Sequence, residues 1–140
     1  MRRTLTALSS AAVLLLACKG EAEADPKSLY RVEASASPVA AGQQGTFRIA
    51  VRPTAAGAHV KPETPFRGKL VATGPLALQK TEIAFGDNAR IEGGGPVFEI
   101  PFDAKAPGEG TLAADLTFFV CTAQSCMRTT EQVTVPVQVK

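Results

Sequence analysis

The chain has 140 residues, with 15 Lys and Arg against 13 Asp and Glu, one histidine and no tryptophan. This near-balance, without a basic run or basic residues interleaved with aromatics, argues against a nucleic-acid surface, and the length suits one domain with a real core. The chemistry that stands out is in three cysteines, Cys18, Cys121 and Cys126.

Met1-Arg2-Arg3 is basic and Leu5 to Ala17 is apolar and small. Crossing a bilayer takes about 20 apolar residues, so this shorter run predicts an export signal over residues 1–17. It ends Leu15-Leu16-Ala17-Cys18, which resembles the bacterial lipobox. The resemblance implies cleavage before Cys18, lipidation of its sulfur, and a protein anchored in the cell envelope facing the periplasm. Lys19, rather than an aspartate, follows the cysteine, which favours the outer membrane. Several acyl chains hold a membrane where one does not. Without residues 1–17 the charges balance at 13 of each sign. Residues 18–27 are polar, small and charged, the composition of a tether.

From residue 28 to 140 the period is that of strands. Leu29–Ser35 is the first expected strand. In Phe47–Arg52 the apolar Phe47, Ile49 and Val51 alternate with Arg48 and Arg52. Strands are also expected at Lys69–Thr73, Glu82–Phe85 and Val97–Asp103, where Phe98, Ile100 and Phe102 share a face. In Thr111–Cys121 the residues Leu112, Ala114, Leu116, Phe118 and Val120 form a core face, which directs Phe119 and Cys121 outward as a partly exposed pair. The last strand, Thr129–Lys140, alternates Val133, Val135, Val137 and Val139 with polar residues and carries Pro136, which removes a ladder donor and predicts an edge strand. Turn signals at Ala41-Gly42, Pro53–Gly57, Thr73–Pro75, Gly93–Pro96 and Pro107–Gly110 separate the runs. Seven to nine short strands in about 110 residues predict an all-β, immunoglobulin-like antiparallel sandwich, with a small closed barrel as the rival.

Cys121 and Cys126 flank four residues at the junction of the last two strands. Three readings stay open. A structural disulfide would pin the hairpin, leaving a redox-silent binding or scaffold module. A redox dithiol would exchange disulfides with a partner, with Arg128 placed to lower a thiol pKa. A soft-metal site would use Cys121, Cys126 and Met127 for Cu(I). Zinc would need more ligands, and His59, the lone histidine, reads as a turn residue with a satisfied ring. The glycine run Gly93–Gly95 precedes a strand rather than a helix, so it reads as a loop and not a phosphate cradle.

Phe119-x-Cys121-x4-Cys126, the valine-rich last strand and the upstream Gly57-Ala58-His59-Val60 together resemble the N-terminal periplasmic domain of the thiol:disulfide interchange protein DsbD. That resemblance implies an immunoglobulin-like fold and thiol–disulfide exchange, hence a protein-disulfide reductase activity without a cofactor. By the same resemblance Cys126 forms the mixed disulfide and Cys121 resolves it. Gly86–Gly93 would be the cap loop, with Ile91 and Phe119 shielding the pair in place of a cap aromatic. The resemblance covers residues 28–140 and does not extend to the family's electron-carrying membrane part. The implied partners are therefore a separate membrane electron donor of the DsbD or CcdA type, and periplasmic thiol–disulfide proteins.

Overall fold

The computed structural model describes residues 25–87 and 89–140. The signal, the lipobox and Cys18 lie outside the described residues, as does Asn88 within the expected cap loop. Asp25–Lys27, read from composition as tether, belong to a single 3₁₀ turn over Pro26–Ser28, in which the Asp25 carboxylate accepts from the Lys27 N–H at 3.0 Å.

Nine strands follow: β1 (Tyr30–Ala36), β2 (Gln44–Pro53), β3 (Arg67–Ala72), β4 (Leu76–Leu78), β5 (Glu82–Ile83), β6 (Arg90–Glu92), β7 (Gly95–Ala104), β8 (Gly108–Cys121) and β9 (Cys126–Val139). They form two antiparallel sheets. One has the order β1-β2-β7-β4, with β6 also on β7, and the other β5-β3-β8-β9. The chain is an all-β sandwich of the immunoglobulin-like kind. Strand alternation sets its interior. Phe47, Ile49 and Val51 of β2, Phe98, Ile100 and Phe102 of β7, and Leu112, Ala114, Leu116, Phe118 and Val120 of β8 all enter one buried cluster. One-sided burial of this kind is what an antiparallel sheet with a wet outer face requires.

β9 is an edge strand, and Pro136 stands opposite Thr111 within it. β4 and β6 have no counterpart among the sequence expectations, because three residues are too few to show a period. The expected cap loop is in part β6, which pairs with β7 from Glu92↔Gly95 to Arg90↔Val97. Gly93 and Gly94, with φ of 61° and 86°, make the two-residue turn. Positive φ at both central positions is the geometry of the tight hairpin turn that glycine allows. Phe85, expected to end a strand, lies in a turn after β5, edge-to-face with Phe66 at 5.5 Å.

Candidate functional site: the Cys121–Cys126 hairpin

β8 and β9 are paired over fourteen positions, from Gly108↔Val139 to Cys121↔Cys126. The turn beyond them is closed by Thr122 N–H donating to Ser125 O at 2.8 Å, with the Thr122 hydroxyl accepting from the Gln124 and Ser125 N–H groups at 3.3 and 3.4 Å. The last rung holds a disulfide, with the two Cα atoms 4.0 Å apart. The short spacing follows from the ladder. Both main-chain groups of Cys121 turn away from Cys126, so the two cysteines form a non-hydrogen-bonded pair, the rung where side chains come closest.

Those main-chain groups go to His59. The His59 N–H donates to Cys121 O at 2.9 Å, and the Cys121 N–H donates to His59 O at 2.8 Å. This isolated antiparallel bridge extends the sheet beyond the end of β3, whose pairing with β8 stops at Arg67↔Thr117. The connection between β2 and β3 is held against the body by the buried Val60 and Phe66. Val60 N–H donates to Gly94 O at 2.8 Å, and Phe66 stacks on Phe118 at 5.4 Å. Gly94 packs close here: a Cβ on it would lie 3.7 Å from His59 Cβ.

The expectation of a partly exposed Cys121 is corrected. It does point away from the core, yet it is 2% exposed. A residue on the wet face becomes buried when strands flank it on both sides, and here His59 stands on one side and Cys126 on the other. Cys126 itself is exposed. The two ends of the disulfide therefore differ: one is sealed and one is open.

Phe119 and Arg128 face each other one row from the pair on the same outward face. Arg128 is exposed and, among the described residues, forms no ion pair. Phe119 is half-buried. Ile91, the other shielding candidate, is 46% exposed in β6. The metal reading loses a ligand, since Met127 packs against the core on the face opposite the cysteines. Among the described residues no three His, Cys, Asp or Glu side chains are grouped to hold a metal ion. The residue that sequence reasoning left aside is His59. Gly57-Ala58-His59-Val60 was visible as a segment, but nothing in the chain order says that its partner is 62 positions away.

A second polar group stands behind the hairpin. Tyr30 OH donates to Glu131 Oε1 at 2.7 Å and accepts from Thr129 Oγ1 at 2.7 Å. With its one proton on Glu131, Tyr30 leaves Thr129 as the donor of the second bond. The Tyr30 ring meets Phe118 edge-on at 5.0 Å. Burial, together with the Glu131 carboxylate, pushes the Tyr30 hydroxyl up to about 12 against the bonding from Thr129. Lys27 reaches the same Glu131 at 3.6 Å, which fastens the entering chain to β9.

No protein-family model and no curated protein matches the chain. Among solved structures, it is similar to native alpha-2-macroglobulin from E. coli, at 16% identity over 77% of this chain with a TM-score of 0.46. It is similar to the part of native E. coli alpha-2-macroglobulin from domain MG7 to the C-terminus, at 15% identity over 79% of this chain with a TM-score of 0.47. This chain spans 7% and 17% of those two chains. PapD-like domain 7 of human CEP192 is similar over 98% of both chains, at 7% identity and a TM-score of 0.45.

Proposed function

We propose that this chain is an envelope lipoprotein that passes electrons by thiol–disulfide exchange through Cys121 and Cys126, as its resemblance to the DsbD N-terminal domain implies. The observation that carries the reading is the unequal exposure of the pair. Exchange needs one sulfur open to an attacking thiolate and a second one kept from side reactions. Cys126 is exposed and Cys121 is 2% exposed.

In the step this favours, a thiolate of a reduced partner attacks Cys126 Sγ. A partner–Cys126 bond forms, the Cys121–Cys126 bond breaks, and its electron pair leaves on Cys121. A second partner thiolate then attacks the partner's own sulfur in the mixed disulfide and releases Cys126. The partner ends as a disulfide and this chain as a dithiol, which reduces an acceptor by the reverse steps. The donor is a membrane electron carrier of the DsbD or CcdA type, and the acceptors are periplasmic thiol–disulfide proteins. The chain enters the sandwich at Leu29 and Tyr30, the end that carries the hairpin. A lipid on Cys18 is seven residues before Asp25. At no more than about 3.6 Å per residue, that leash holds this end within about 25 Å of the anchor.

The test is the reduction potential of the pair, with trapping of a mixed disulfide. Exchange requires a potential above about −300 mV, the level below which structural disulfides fall. Cys121→Ala, which leaves Cys126 open, should accumulate a mixed disulfide, and Cys126→Ala should not. A potential below that level with no trapped species from Cys121→Ala would overturn the proposal.

A further inference from the structure

We infer that His59 stabilises the Cys121 thiolate released when the disulfide opens, a role that rests on the exchange reading above. Cys121 is the leaving sulfur in that reading, and a thiol leaves faster the more stable its thiolate. Apolar burial works against a thiolate, whereas a cation within about 4–6 Å favours it. A sealed Cys121 therefore needs a charge supplied from the protein.

The ladder places His59 to supply it. His59 is directly opposite Cys121, joined by two hydrogen bonds of 2.9 and 2.8 Å. Val60 and Val120, their neighbours in sequence, both face the core, so His59 and Cys121 share the outer face. Directly opposite residues in antiparallel strands have Cβ atoms about 5.5 Å apart. The ring is also oriented. His59 Nδ1 lies 3.1 Å from Gly57 O. A carbonyl only accepts, so Nδ1 carries a proton there and Nε2 is the nitrogen that gains or gives the second one.

The other charged groups on the surrounding elements are Arg128 and Glu131 on β9, Arg67 and Lys69 on β3, Glu109 and Asp115 on β8 itself, Lys61 and Glu63 on the same connection, and Arg90, Glu92, Glu99 and Asp103 on the β6–β7 hairpin. Glu92 is held by Arg48 at 3.3 Å and Arg90 at 3.5 Å. Arg128 stands opposite Phe119, a row away from Cys121 and so diagonal to it. Arg67 is opposite Thr117, two rows away. His59 alone occupies the directly opposite position. When the incoming thiolate bonds to Cys126 and the electron pair passes to Cys121 Sγ, the His59 imidazolium pairs with that charge. Nε2 then gives Cys121 its proton as the dithiol forms, and water restores the proton to the ring.

The experiment follows the Cys121 thiolate by its ultraviolet absorbance in Cys126→Ala, with and without His59→Asn. Asparagine keeps the main-chain bridge and a side-chain donor for Gly57 O but carries no charge. The thiolate fraction at neutral pH should fall about tenfold in the His59→Asn background, the size expected for losing one adjacent cation. Arg128→Gln in the same background should lower it less. An unchanged fraction in the His59 variant, or a larger loss from Arg128→Gln, overturns the inference. A second measurement needs no substitution. His59 is the single histidine, so its ring resonances need no assignment, and their pH midpoint should move upward from the oxidised to the reduced protein. Equal midpoints in the two states would also overturn the role. Neither readout involves a partner, so failure here leaves exchange to be judged by the reduction potential alone.

Discussion

Opening the Cys121–Cys126 bond should weaken the domain slightly and not unfold it. An exchange protein must persist in both oxidation states, whereas a staple is missed when it is cut. The bond closes a ring of six residues, at a sequence separation of 5. Loop entropy for a ring that small is about 2 kcal/mol at 25 °C, against about 4.7 kcal/mol for a 100-residue loop. The register does not depend on the bond, because it is set along fourteen paired positions from Gly108↔Val139 onward and by the valine face of β9. Urea unfolding of oxidised and reduced protein, followed by far-ultraviolet circular dichroism, measures the difference. With a slope on the order of 2 kcal/mol per molar, the midpoint should drop by about 1 M after reduction, and the melting temperature by on the order of 8 °C. Loss of the cooperative transition on reduction, or a destabilisation above about 5 kcal/mol, would refute this reasoning. It would make the disulfide a structural part of a binding or scaffold module.

Three further outcomes follow from the packing. Phe118→Ala removes a fully buried ring that meets Tyr30 and stacks on Phe66, and should cost about 3–5 kcal/mol by urea unfolding; a loss below about 1 kcal/mol would contradict the assigned packing. Gly95→Ala places a methyl group against the Val51 carbonyl where β7 starts beside β2; the backbone must shift, and a loss of about 1–3 kcal/mol is expected, with an unchanged midpoint counting against it. Tyr30 is the single tyrosine, so its tyrosinate absorbance reports one group. Its hydroxyl is raised from 10.0 to about 12 in the folded state. The folded protein therefore holds that proton more tightly than the unfolded one, and the resulting stability is complete below pH 10 and is lost as pH rises from 10 to 12. A tyrosinate midpoint near 10 in the folded protein would show that the hydroxyl is not bonded as described.

The parts legible in the chain are those that depend on neighbours close in sequence. Phe47-x-Ile49-x-Val51 and Leu112 through Val120 announce their buried faces, because a strand alternates its side chains whatever it pairs with. Pro136 announces an edge because a missing N–H is a local fact. The cysteine hairpin is legible for the same reason: a strand enters Cys121, four residues turn, and a second strand leaves Cys126. The environment of the sulfurs is not local. Alternation sends Cys121 outward, and only the arrival of His59, through two main-chain hydrogen bonds that any residue but proline could make, seals it from water. Main-chain pairing leaves no mark in the side-chain pattern. For that reason the sequence determined the strand pattern and the meeting of two cysteines at a hairpin, whereas tertiary structure alone decided that they are bonded, which cysteine is exposed, which is buried, and that the single histidine stands opposite the buried one.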